Sequence, residues 1–140
     1  EWLIGHTKPG FALYRRKNGA KSKRNRRKER EMLIDFEQLD ETEIKNFYGG
    51  AQSTYARMLA DERNRIMRGR LVPGASIGTH LHEAGSEIIF ILSGAGKAFC
   101  DGIEESLSPG VCHYCPKGHT HSLTADGPDD LVFFAVVPQQ

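Results

Sequence analysis

Residues 74–94 read GASIGTHLHEAGSEIIFILSG, and the fold turns on this stretch. A short alternating segment, Ser76 to His82, ends in His-x-His; after Ala84 and Gly85, Glu87 opens a second apolar run, Ile88 to Leu92. Side chains two apart on a strand share a face. His80 and His82 therefore point one way and Leu81 the other. A turn through Ala84 and Gly85 is short enough to fold the second run back antiparallel on the first, which returns the Glu87 carboxylate to the two imidazoles. A later stretch, 110–121 (GVCHYCPKGHTH), brings His121 after Pro116 and Gly118. Three imidazole nitrogens and one carboxylate oxygen suit one divalent transition ion: iron, manganese, nickel, cobalt or zinc. With four protein ligands, an ion of octahedral preference keeps positions for water or substrate. A single strand histidine would read as structural. The set of four reads as a metal site, given the strand context.

Working outward, short runs recur with Gly or Pro between them: Ser53 to Leu59, Arg65 to Val72, Ser76 to His82, Glu87 to Leu92, Gly96 to Cys100, Ile103 to Leu107, Val111 to Tyr114, His119 to Thr124 and Leu131 to Val137. Such spacing predicts an all-β sandwich or barrel. Asp101-Gly102 is a hairpin turn. The last run, LVFFAVV, is apolar on both faces, as suits a central or covered strand. Upstream, Met32 to Phe36 reads as a short strand. Asp40 to Phe47 reads as a helical turn with acids at its start, ended by Gly49-Gly50. Tyr55, Phe99, Tyr114, Phe133 and Phe134 are expected in the core, some lining a cavity.

The two stretches resemble the two signatures of the cupin family. The first runs Gly74, five residues, His80-Leu81-His82, four residues, Glu87, six residues, Gly94. The second runs Gly110, five residues, Pro116-Lys117-Gly118, two residues, His121; Ala125 stands where the family carries Asn. That asparagine is not a usual ligand, so the site is little affected. The resemblance spans about Arg65 to Pro138. It implies a double-stranded β-helix, or jelly-roll, barrel preceded here by the short helical turn, with the metal inside on His80, His82, Glu87 and His121. It also implies a small acid, sugar or amino-acid derivative as ligand. The activities it covers include dioxygenases, decarboxylases, isomerases, lyases and proteins without known catalysis. Small single-barrel members commonly pair, so a homodimer is expected.

The chain has 140 residues, enough for one domain with a proper core. Its net charge of +1 conceals two halves. Residues 1–31 hold eleven Lys or Arg against three Glu, net +8; residues 32–140 hold eight against fifteen acids, net −7. The first part reads as a basic extension to a 32–140 barrel domain: a solvated tail, sequence upstream of the natural start at Met32, or an arm for nucleic acid or another anionic surface. Elsewhere nothing favours nucleic acid. No apolar run reaches membrane-spanning length and no secretory signal appears. Three cysteines, an odd number, suggest reduced thiols in a cytoplasm. Cys112-x-x-Cys115 lies in a predicted strand, where residues three apart face opposite ways; it reads as one buried and one outward thiol rather than a redox or zinc pair.

Two functional classes remain. One is a metal-dependent enzyme acting on a small oxygen-rich metabolite by Lewis-acid or dioxygen chemistry, with Glu83, His119 or Tyr114 moving a proton. The other is a non-catalytic module that binds or senses a small ligand. His113 reads as structural, and His119 as a rim or supporting group rather than a ligand.

Overall fold

A computed structural model of the chain describes residues 33–140, so the basic extension 1–31 and Met32 lie outside the described residues. The strands are β1 (Thr42–Lys45), β2 (Ser53–Ala60), β3 (Asn64–Leu71), β4 (Ser76–Leu81), β5 (Glu87–Ser93), β6 (Gly96–Cys100), β7 (Ile103–Leu107), β8 (Cys112–Cys115), β9 (Thr120–Ala125) and β10 (Leu131–Pro138). They form a six-stranded sheet, β1-β2-β3-β10-β5-β8, and a four-stranded sheet, β4-β9-β6-β7. All pairings are antiparallel. No helix among the described residues is long and apolar enough to cross a membrane.

Alternation places the core between the sheets. Along β10, Leu131, Phe133 and Ala135 are buried, while Val132, Phe134 and Val136 are half-buried on the other face. The doubly apolar β10 is central, hydrogen-bonded to β3 and β5. Its inner residues meet Leu71, Ile89 and Ile91 from its own sheet and Ile77, Ala98, Leu107 and Leu123 from the other. Each such side chain contributes about 1.5–3 kcal/mol when fully buried. Gly69 pairs with Phe133, and a Cβ there would lie 2.4 Å from the ring. Glycine at 69 is therefore what admits the phenyl group. Asp101 and Gly102 both take positive φ, +50° and +83°, as a two-residue hairpin of the I′ kind demands.

Three expectations fail. Residues 33–35 form no strand; a 3-10 turn, Phe36–Gln38, follows with Asp35 capping the Glu37 amide. Arg57 holds that turn by donating to the carbonyls of Phe36, Glu37 and Leu39. The stretch read as a helical turn, 40–47, instead carries strand β1 at its centre, because Ile44 has a buried place beside β2 and tertiary pairing outweighs local helix preference. The helical turns are instead Phe36–Gln38 and Phe47–Gly49. Finally, β5 does not fold back on β4. The Ala84–Ser86 link crosses from one sheet to the other, so Glu87 meets the histidines across the barrel rather than along a sheet. Among the aromatic residues, Phe133 is core, but Tyr114 and Phe99 are exposed.

Candidate metal centre

His80 and His121 are paired on β4 and β9. His82 follows β4 directly, and its backbone bonds with His119 and Gly118 hold it in line. Glu87 opens β5 opposite Cys115. The side chains of these four residues converge, with one ligand atom from each lying within 4.8 Å of the others. His82, Glu87 and His121 are buried, and the His80 side chain is only 10% exposed, so the cluster sits inside the barrel.

The spacing of the donor atoms bears on what could fill it. Nε2 of His121 lies 2.9 Å from Nε2 of His82, 3.1 Å from Nε2 of His80 and 2.9 Å from Oε2 of Glu87. The His82 to Glu87 distance is 3.0 Å, and His80 to Glu87 is 3.8 Å. Neighbouring ligands on an octahedral ion with bonds of about 2.1 Å are about 3.0 Å apart; on a tetrahedral ion the figure is about 3.4 Å. The closer contacts lie near the octahedral figure, so these four residues are the ones that would hold such an ion.

The outer nitrogens set the chemistry. Nδ1 of His80 faces the Gly78 carbonyl at 2.9 Å, and a carbonyl only accepts, so this nitrogen carries a proton and Nε2 is the atom turned inward. Glu87 is held well below the ordinary carboxyl range: burial raises it, but hydrogen bonds from His121, His80 and His82 outweigh that cost. Burial lowers His121, against the pull of Glu87, and His80 and His82 lower it further. The four ligand atoms therefore converge about 3 Å apart in a buried site, the imidazoles sharing protons with the carboxylate where no cation is bound. Protons or a metal cation must neutralise them, and the nitrogen–oxygen set suits a borderline divalent ion.

The second 3-10 turn packs against the cluster. Tyr48 stacks on His80 with ring centroids 4.1 Å apart and planes 7° apart. This needs close backbone approach: a Cβ at Gly78 would lie 2.1 Å from the Tyr48 carbonyl, and one at Gly50 would lie 2.0 Å from the Ser76 carbonyl. Tyr48 itself takes a left-handed conformation, φ +51°, ψ +32°, which costs a non-glycine residue about 1–2 kcal/mol. Arg65 shares its strand face with Met67, Gly69 and Leu71, which point inward. It donates to Tyr48 and lies within electrostatic reach of Glu87; burial lowers its guanidinium, while Tyr48 and Glu87 oppose the change. Neither Tyr48 nor Arg65 stood out in the sequence.

The candidate proton carriers lie elsewhere. Glu83 is exposed in the link after His82. Tyr114 is 54% exposed, on the outward face of β8 between inward His113 and Cys115. His119 is exposed and pairs through Nδ1 with Asp101, whose other oxygen accepts from the Thr120 amide. Cys112 is exposed and Cys115 buried, the opposite facing expected of the pair. Burial, then the neighbouring Cys100, pushes the Cys115 thiol up to about 12, so it stays protonated. His113, read as structural, is instead bonded to the centre through His121, with its Nε2 2.9 Å from Nδ1 of His121. Alternation along β8 carried that signal, since His113 shares the inward face with Cys115.

A family model described as the Cupin domain matches residues 67–137. The oxalate-binding protein of Thermotoga maritima is 31% identical over 112 residues, which span 76% of this chain and 93% of that protein. A crystal structure of a predicted oxalate decarboxylase from Thermotoga maritima matches with TM-score 0.74 at 29% identity, covering 78% of this chain and 100% of that one. The structure of KdgF from Halomonas sp. matches with TM-score 0.61 at 22% identity, covering 74% and 90%, a likeness of fold alone.

Proposed function

The chain belongs to the cupin family, and from that premise we propose that it holds one divalent transition ion on His80, His82, Glu87 and His121 and binds a small carboxylate metabolite such as oxalate. The observation that carries this reading is the convergence of these four side chains inside the barrel, with Arg65 in electrostatic reach of Glu87. The oxalate-binding relative supplies the ligand class. Bound there, an iron, manganese, nickel, cobalt or zinc ion supplies Lewis-acid chemistry or, for iron, dioxygen chemistry. The chain's own groups do the rest. Tyr48 covers His80, the barrel walls exclude water, and Arg65 offers its guanidinium to a carboxylate oxygen.

Binding and turnover are separable. We assign a proton-moving role to Glu83, which directly follows a ligand and is open to solvent; His119 and Tyr114 receive no step. Titration calorimetry of metal-loaded protein with oxalate, beside assays for carbon dioxide and formate release, tests both halves. Oxalate binding with product formation that Glu83→Gln abolishes supports an enzyme. Binding without product supports the second reading, a non-catalytic ligand-binding cupin, which the relative's name as a binding protein favours. No binding of any small organic acid or sugar acid to metal-loaded protein sinks the ligand assignment.

The partner and compartment are also proposals. Ile88, Phe90 and Leu92 on β5 and Tyr114 on β8 form an exposed, largely apolar outer face, and we assign it to a second copy of the chain. A light-scattering mass of one chain would refute this. The three free thiols, Cys100, Cys112 and Cys115, fit a reducing cytoplasm.

A further inference from the structure

One hydrogen-bonded chain leads from the back of the cluster to the surface. Nδ1 of His121 lies 2.9 Å from Nε2 of His113, and Nδ1 of His113 lies 2.7 Å from Oε2 of Glu105. His113 and His121 are fully buried side chains, and their rings are nearly parallel, 15° apart. The Glu105 side chain is half exposed. β7 and β8 are edge strands of different sheets, so the Glu105–His113 bond spans the seam between them.

The chain has a direction. An ionised carboxylate only accepts, so Nδ1 of His113 carries a proton and donates it. In the neutral ring Nε2 is then an acceptor, and Nδ1 of His121 must donate to it. Nε2 of His121 is then the atom turned to the other three ligand atoms, 2.9–3.1 Å away, where a metal, or in its absence a proton shared with Glu87, is held. The opposite tautomer of His121 would aim an N–H into the metal position. We propose that Glu105 and His113 are positioning residues that fix His121 as the Nδ1–H tautomer and so keep its Nε2 open to a metal. His80 receives the same service from a backbone carbonyl that no substitution can remove; His121 depends on two side chains. The inference rests on the reading of the four residues as a metal site, but its first test needs no metal.

The test compares wild type with Glu105→Ala, His113→Phe and His113→Gln. Long-range proton–nitrogen correlation spectra of the metal-free proteins report the tautomer, and chelator competition with zinc reports affinity. Wild type is expected to show His121 protonated at Nδ1. Glu105→Ala removes a half-exposed group, so the fold should survive, and it should show both His121 tautomers. Zinc affinity is expected to fall about 10–100-fold in His113→Phe, as for supporting groups generally, and less in Glu105→Ala. His113→Gln, whose amide oxygen can still accept from His121, should recover part of the loss. Unchanged metal-free melting temperatures would separate positioning from unfolding. A wild-type His121 that lacks a proton at Nδ1 overturns the proposal. So does a zinc affinity within twofold of wild type in both Glu105→Ala and His113→Phe. If wild type binds no zinc, the metal reading fails, and the tautomer spectra alone decide the present one.

Discussion

Two polar regions of this molecule use similar side chains to opposite ends. On the outer side of the six-stranded sheet, Arg70 reaches Glu41 at 2.8 Å and Asp130 at 3.0 Å, Arg68 pairs with Glu37, and the Arg70 guanidinium lies 4.1 Å from the Tyr55 ring centroid. Donors there meet acceptors, and the group is closed. Inside the barrel, His80, His82, His121 and the Glu87 carboxylate bring four ligand atoms within 4.8 Å of one another, with Arg65 in electrostatic reach of Glu87. The surface belt satisfies itself and holds the sheet. The interior set crowds four potential metal ligands together, and that makes it the candidate functional site.

Four measurements break or sharpen that contrast. The largest effect is expected from His82→Ala: elemental analysis of untagged protein should fall from about one transition ion per chain to background, since three remaining ligands hold an ion poorly. Retained metal in the variant would mean that the interior set is not the site. Next is Gly78→Ala, where the added Cβ collides with the Tyr48 backbone. A loss of about 1–3 kcal/mol is expected from denaturant midpoints, because backbone cannot yield as a side-chain tip does. Tyr48→Ala should lose about 0.5–1.5 kcal/mol through the stacked ring and weaken ligand binding, whereas Tyr48→Phe should keep stability and lose only the contact with Arg65. The smallest effect belongs to the belt: Arg70→Ala should cost about 1 kcal/mol or less, and raised salt should shrink the difference. A belt more costly to remove than the Gly78 approach is to disturb would invert the comparison.

Much of this could be read from the chain itself, for physical reasons that also explain what could not. The strands from Ser53 onward follow from period-2 alternation between Gly and Pro breaks, and observed bounds differ by a residue or so. The four metal-facing residues are legible because they sit at fixed spacings within two short segments. What the alternation does not encode is which strand lies beside which. The link from His82 to Glu87 looks like a hairpin in sequence, yet it changes sheets, because burying both apolar faces matters more than pairing chain neighbours. β1 was misread for the same kind of reason, since only the partner strand decides that Ile44 is buried. Tyr48, Arg65 and Glu105 are not legible as site residues because each reaches the centre through space from a strand or turn with no spacing to announce it, whereas alternation along β8 announces only that His113 faces inward.

β10 carries a consequence for the order of events in folding. It sits between β3 and β5, pairing Leu131 with Leu71 on one side and Val136 with Ile88 on the other. During synthesis both neighbours emerge from the ribosome well before it. Until residues 131–138 follow, each neighbour has an open edge where β10 will lie, and the strand bearing Glu87 lacks its central support. The pairing is also distant in sequence, which places the domain among slow-closing topologies. The four candidate ligands therefore depend for their convergence on a strand that follows all of them in the chain.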